Sequence, residues 1–187
     1  MSKSTELLKS KKMIIVGGSS GLGRSLAAAV LAHGASVVIA SSSQEKVNAA
    51  LEKLKQEVPP APNATITGQA VDLKDFTALK EFLSNEGPFD HFVITAGDLP
   101  GNFNFPDQEI DPAITKSYFD CPGLVDTEFH DSMPTDAKEQ FFKLQREKLP
   151  VGHVGTPEEV AEAYIFAMKC TYLTGQVIVV DGGGVLV

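Results

Sequence analysis

Val16-Gly17-Gly18-Ser19-Ser20-Gly21-Leu22-Gly23 decides the fold of this 187-residue chain. The apolar run Met13-Ile14-Ile15-Val16 leads into it, and an alanine-rich helical stretch leads out. Strand, glycine turn and helix in that order present bare backbone N–H groups at a helix N-terminus, where a phosphate is readily held. The spacing Gly17-x-x-x-Gly21-x-Gly23 differs from G-x-G-x-x-G but answers the same demand. No Cβ is wanted where backbone nears a pyrophosphate, and a small residue is wanted where helix meets strand. Gly17, Ser19, Ser20, Gly21, Leu22 and Gly23 are therefore expected to line the phosphates of a dinucleotide. A structural Gly-Ser loop is the plainer alternative.

Outward from this turn, short β-branched runs alternate with helical patterns. Strands are expected at Met13–Val16, Ser36–Ala40, Ala64–Val71 and His91–Thr95, and helices at Leu22–His33, Gln44–Glu57 and Lys74–Asn85. Such alternation implies a parallel sheet covered on both faces. From Asp98 to Pro134 the pattern fails, with no clear strand and many Pro, Gly, Asn and Asp residues. Helices are expected again at Thr135–Lys148 and Pro157–Lys169, the second opened by Thr156-Pro157-Glu158-Glu159: an N-cap, a proline at the first helical position, then acids. Gln176–Val180 reads as a last buried strand.

Composition narrows the partners. Apolar content of 43% and charged content of 21% suit one globular domain spanning residues 1–187. The net charge of −8 argues against nucleic acid or an anionic membrane, so an anionic ligand must be held by local geometry. The two cysteines, Cys121 and Cys170, are far apart and suit a reducing compartment. The polar start Met1–Lys12 and the lack of any long apolar run point to a cytoplasmic protein rather than a secreted or membrane one.

Three further places bear on the dinucleotide. The end of the second strand, where an acid would select NAD by accepting from both ribose hydroxyls, reads Ala40-Ser41-Ser42-Ser43. Hydroxyls without an acid can donate to a 2′-phosphate, so NADP is favoured over NAD, although one of these serines can instead cap the Gln44 helix. Asp72 either bonds the adenine or caps the helix beginning near Lys74. Ala96-Gly97 after the fourth strand lets backbone lie against a ribose, or is simply a tight strand exit.

Taken together, Val16–Arg24, Val71-Asp72-Leu73, Thr95-Ala96-Gly97, Pro122–Thr127 (PGLVDT), Val154–Val160 and Thr174–Gly183 resemble the short-chain dehydrogenase/reductase family, in the family's order. The resemblance implies an α/β fold, a three-layer Rossmann-type doubly wound parallel sheet, and NADP(H)-dependent interconversion of a small carbonyl and its alcohol by hydride transfer. It also implies that Asp72 and Leu73 flank the adenine and that Ala96 and Gly97 meet the ribose. Pro122, Gly123, Val125 and Thr127 would hold the nicotinamide carboxamide, and Pro122–Lys148 would form a lid over the substrate. Homodimers or homotetramers are usual in the family. The chain departs from it at Val16, where a threonine is usual, at Ile94-Thr95, where two asparagines are common, and at Ser42, where NADP-dependent members often carry arginine.

The largest departure is an absence. The family protonates its substrate with a tyrosine whose pKa is lowered by a lysine four residues on, helped by a serine. At that spacing Tyr118 is followed by Pro122, Tyr164 by Met168 and Tyr172 by Gln176, so no catalytic residue is named. Ser117 and Tyr118 are adjacent and lack the lysine. One or two central strand–helix units are missing, with the apparent deletion near 120–121. Either the chain has lost them and is a non-catalytic NADP-binding pseudoenzyme or regulatory subunit, or this sequence interrupts a longer natural chain. Packing favours the second: without those strands, Gln176–Val180 must pair with the fourth strand or lie at an exposed edge, and the Pro122-Gly123 turn has no strand to position it.

The remaining candidates have ordinary explanations. His33 suits a helix C-terminus as a partial positive charge, and His91 begins a strand. His130 with Asp126, Glu128 and Asp131 has metal-ligating side chains but falls where a lid is expected, so no metal site is assigned. Leu124, Phe129, Met133, Phe141 and Phe142 form either an apolar pocket wall or helix packing.

Overall fold

A computed structural model of the chain describes residues 6–59, 61–96, 120–131, 133–173 and 175–187. Four parallel strands, β1 (Lys12–Val16), β2 (Ser36–Ser41), β3 (Ile66–Ala70) and β4 (His91–Ile94), form a sheet in the order β3-β2-β1-β4. The helices between them are α1 (Gly21–Ala32), α2 (Gln44–Glu57) and α3 (Phe76–Glu86). The order reverses at β1, so its carboxyl end is the switch point where ligands bind in such sheets. Later come β5 (Asp120–Pro122), a 3-10 turn at Glu128–His130, α4 (Thr135–Lys148), α5 (Pro157–Lys169) and β6 (Ile178–Val180).

Two cores clamp the sheet. On one face Met13, Ile15, Val37 and Ile39 pack with Leu26, Val30, Leu54 and Ile165 from α1, α2 and α5. On the other, Ile14, Val16 and Val38 pack against Phe82 of α3. At about 25 cal/mol per Å² of apolar area, each fully buried Ile or Leu contributes roughly 1.5–3 kcal/mol. Sequence-local signals set the helix ends. Ser43 caps α2 by accepting from Lys46 N–H, and Thr156 and Glu159 form a reciprocal capping box on α5. Asp75 caps α3, accepting from the N–H groups of Thr77 and Ala78, so that helix begins one residue beyond Asp75 rather than at Lys74.

Among the described residues, helices cover both faces of the sheet at β1 and β2, while Phe92 and Ile94 of β4 are 37% and 45% exposed. Two expectations need correction. The segment after Asp98 is not strand-free: Asp120–Pro122 pairs in parallel with Ile178–Val180. Of the two expected placements for the last strand, it does not join β4 but lies with one edge open among the described residues, and a strand does lead into the Pro122-Gly123 turn. It forms a second, two-stranded sheet in which Val179 remains half-exposed.

Candidate functional site

The glycine turn is built by close approaches. Gly17 adopts φ +90°, and its N–H donates to Ala40 O at 2.8 Å. A Cβ on Gly17 would collide with Ala96 N, and one on Gly23 would collide with Gly17 O and Thr95 Oγ1. A Cβ on Gly18 would come within 2.7 Å of Ile39 Cγ2. These glycines thus serve the contact between turn, β2 and the end of β4. Gly21 is different: with φ +48° it faces Thr127, 3.4 Å from where a Cβ would stand. The N-terminus of α1 therefore opens toward the 124–128 segment.

Ser20 is the N-cap of α1 but its side chain makes no capping bond, and the first turn carries no acid. The helix itself therefore supplies no anion to its N-terminal partial positive charge. The exposed Ser20 and half-buried Ser19 and Leu22 surround it. Ser19 Oγ donates to Ser41 Oγ at 2.9 Å, joining the turn to the end of β2. Ser42 is exposed, while Ser43 is committed to α2. Asp72 accepts from Lys74 N–H at 2.9 Å in a local turn, its side chain exposed, and Leu73 packs on the second core. Ala96 N–H donates to Val16 O at 3.2 Å, which sets it beside the turn. Gly97, Ser117 and Tyr118 lie outside the described residues.

The far wall comes from the second sheet. Gly123 N–H donates to Val180 O at 2.9 Å, and a Cβ there would approach Asp181 Cα to 2.6 Å. Val125 is 7% exposed and bridges Gly155, whose N–H donates to Leu124 O. Thr127 begins the 3-10 turn, and Glu128 Oε2 accepts from Gly21 N–H at 2.8 Å. Pro122, Gly123, Val125 and Thr127 are thus held in one segment, with Thr127 against the glycine turn. In the sequence Glu128 stands only as a possible metal ligand, and its contact with Gly21 is not visible there; its neighbour Arg24 pairs with Glu57 through Nη1 at 2.9 Å. The Gly21–Glu128 pair is separated by 107 residues, and no local pattern announces it.

The His130 cluster resolves into packing. Asp126 and Asp131 both pair with Lys138, at 3.0 and 3.3 Å, and Glu128 is turned to α1. His130 stands edge-on between Phe129 and Phe142. Phe142 is 4% exposed, so it packs α4 in place rather than lining a substrate wall, while Phe129 is exposed. Leu124 and Val125 line a cavity of about 200 Å³ with Leu149, Val151, His153 and Glu159. His33 is not the helix-terminal cation expected: burial, and then the Lys169 ammonium 3.3 Å from Nε2, push its pKa down.

A parallel sheet with its switch point at a glycine turn, an acid-free helix N-terminus and a serine-lined second strand define a dinucleotide-binding α/β domain. Residues 5–118 match the model of the SDR-like Rossmann domain, and residues 120–184 match that of enoyl-(acyl carrier protein) reductase. The chain belongs to the short-chain dehydrogenase/reductase family. It is 26% identical over 258 aligned positions to the short-chain dehydrogenase/reductase malC of Malbranchea aurantiaca, covering 98% of each. That alignment is longer than this chain, so malC has stretches without a counterpart here. The solved structure of MalC reductase/Diels-Alderase superposes with a TM-score of 0.84 at 24% identity, covering 99% of this chain and 100% of that one. A 3-oxoacyl (acyl-carrier-protein) reductase from Agrobacterium tumefaciens with NADP bound gives 0.76 at 18% identity, covering 97% of each. No helix among the described residues is long and apolar enough to cross a membrane.

Proposed function

We propose that this protein is an NADP(H)-dependent oxidoreductase that interconverts a small carbonyl compound and its alcohol. The observation carrying the reading is the N-terminus of α1, whose first turn carries no acid of its own and whose Gly21 N–H donates to a carboxylate from a distant segment, where a phosphate would otherwise accept. Gly17, Ser19, Ser20, Gly21, Leu22 and Gly23 would hold the pyrophosphate, and Ser41 and Ser42 the 2′-phosphate. Ser43 is spent on capping α2 and contributes position only. Asp72 and Leu73 would flank the adenine, Ala96 and Gly97 the ribose, and Pro122, Gly123, Val125 and Thr127 the carboxamide. The bound cofactor supplies the hydride. The NADP-bound Agrobacterium reductase supports the cofactor class. We place the protein in the cytoplasm, as one domain, assembling as a homodimer or homotetramer.

One observation favours a second reading. No Tyr-x-x-x-Lys occurs in these 187 residues, so nothing at the family's spacing supplies the proton. A chain of this sequence alone would bind NADP(H) without turnover, as a pseudoenzyme or regulatory subunit. The two family-model matches adjoin between residues 118 and 120, which supports a gap at that point.

The intact mass of the protein from its natural host separates the readings. A mass of 19.9 kDa means that the triad is absent, and NADPH should then bind without being oxidised by any aldehyde, ketone or quinone. A mass several kilodaltons higher means an inserted segment carrying a serine and Tyr-x-x-x-Lys, with NADPH oxidation by at least one carbonyl. Failure to bind NADPH in either form refutes both.

A further inference from the structure

Glu128 stands where the cofactor's phosphates are expected. Its Oε2 accepts from Gly21 N–H at 2.8 Å, while its Oε1 lies 3.8 Å from Arg24 Nη2. Gly21 opens the first turn of a twelve-residue helix with no acid of its own. Arg24 is anchored from the other side by Glu57, with Oε1 and Oε2 each 2.9 Å from Nη1, so the arginine is a fixed part of the site. Behind Glu128 the segment is braced: Thr127 packs on Gly21, Asp126 and Asp131 pair with Lys138, and Asp126 N–H donates to Gly155 O.

We infer that Glu128 is an intramolecular competitor of the dinucleotide: its carboxylate occupies the pyrophosphate's N–H donor at Gly21, and cofactor binding must displace it. The inference rests on the dinucleotide-binding reading above. Three features carry it. The anion is supplied from a distant segment, not from the helix's own capping sequence. The same carboxylate faces an arginine, so its two oxygens meet the two positive groups a phosphate would meet. The segment bearing it adjoins Pro122–Thr127, proposed to hold the carboxamide and braced as described, so displacing Glu128 needs only its side chain to leave Gly21 N–H. Glu128 is then a determinant of cofactor affinity that acts by position.

The competent fraction sets the apparent affinity, and a carboxylate at a helix N-terminus biases such an equilibrium several-fold. The test is NADPH titration of the whole chain by fluorescence, with the Gly21 amide followed by 1H–15N NMR. E128D keeps the charge but shortens the reach, and E128A removes both. Both variants should bind NADPH about three- to sixfold more tightly than the unmodified chain. Both should also shift the nucleotide-free Gly21 amide upfield as its hydrogen bond is lost. Tighter binding by E128A alone, with E128D unchanged, means charge repulsion without contact and overturns the inference. So does an unmoved Gly21 resonance, or equal NADPH affinity in all three proteins. Absence of NADPH binding in all three overturns the dinucleotide reading itself, and the competition with it.

Discussion

Gly23→Ala sets local propensity against tertiary packing. Gly23 is a buried residue in the first turn of α1, and its φ lies outside the left-handed region. Helix propensity alone favours alanine there by up to about 1 kcal/mol. The structure reverses the sign. The added Cβ would overlap Gly17 O, which is backbone fixed by Gly17 φ +90° and by the Gly17 N–H···Ala40 O bond, and also Thr95 Oγ1. Overpacking of this kind costs about 1–3 kcal/mol, and the fixed backbone oxygen of Gly17 places it near the top of that range. The net is a loss of about 2 kcal/mol, or a Tm lower by roughly 4–8 °C for a domain of this size. Thermal unfolding by circular dichroism reads the shift. NADPH affinity should fall as well, because the turn must open to admit the methyl. A control is Gly152→Ala, at φ +77° with nothing within 4 Å, which should lose only the left-handed penalty of about 1–2 kcal/mol and leave NADPH affinity unchanged. A Gly23→Ala protein with a raised Tm would refute the claim that this glycine serves a backbone contact.

Further outcomes follow from the same geometry. Ser41→Asp places an acid at the end of β2, where it accepts from ribose hydroxyls and repels a 2′-phosphate; the NADPH-to-NADH affinity ratio should drop at least tenfold, on the order of 1.4 kcal/mol, and an unchanged ratio would sink the assignment. His153 Nε2 lies 2.9 Å from Glu159 Oε1, and that hydrogen bond raises the His153 pKa above 6.5. Its contribution is therefore fully present below pH 6.5 and disappears as pH rises through the raised value. The Tm gap between the unmodified chain and His153→Gln should be largest in the acid arm and close in the alkaline arm. Glu159 has its pKa lowered, first by Thr156 N–H and then by His153, so its own contribution holds above pH 4.5 and fades as pH falls through the lowered value. Thr156→Ala should cost about 1 kcal/mol by removing one half of the capping box, measured by urea unfolding at constant m-value.

Most of the four-stranded sheet was legible in the residues. The period-2 and period-3.6 patterns act over one element, and Ser43, Thr156 and Pro157 end elements through bonds to their own neighbours. The α2, α4 and α5 spans coincide with their expected ranges for that reason. The glycine turn was legible because strand, turn and helix are contiguous. The cap of α3 was misplaced because Asp72 and Asp75 are both able caps, and only the path of the chain chose Asp75.

By itself, then, the sequence determined what each short segment is: its periodicity, its caps, its glycine turn and its missing Tyr-x-x-x-Lys. The tertiary structure decided what depends on distant partners. It put the 120–122 strand beside β6 rather than leaving it a loop, left Phe92 and Ile94 partly exposed on β4, and turned His33 from a helix-end cation into a histidine beside Lys169. It also brought Glu128 to Gly21 across 107 residues. Periodicity and capping are set by neighbours within a turn or two of chain, whereas burial, pKa and long-range hydrogen bonds are set by whatever the fold carries alongside.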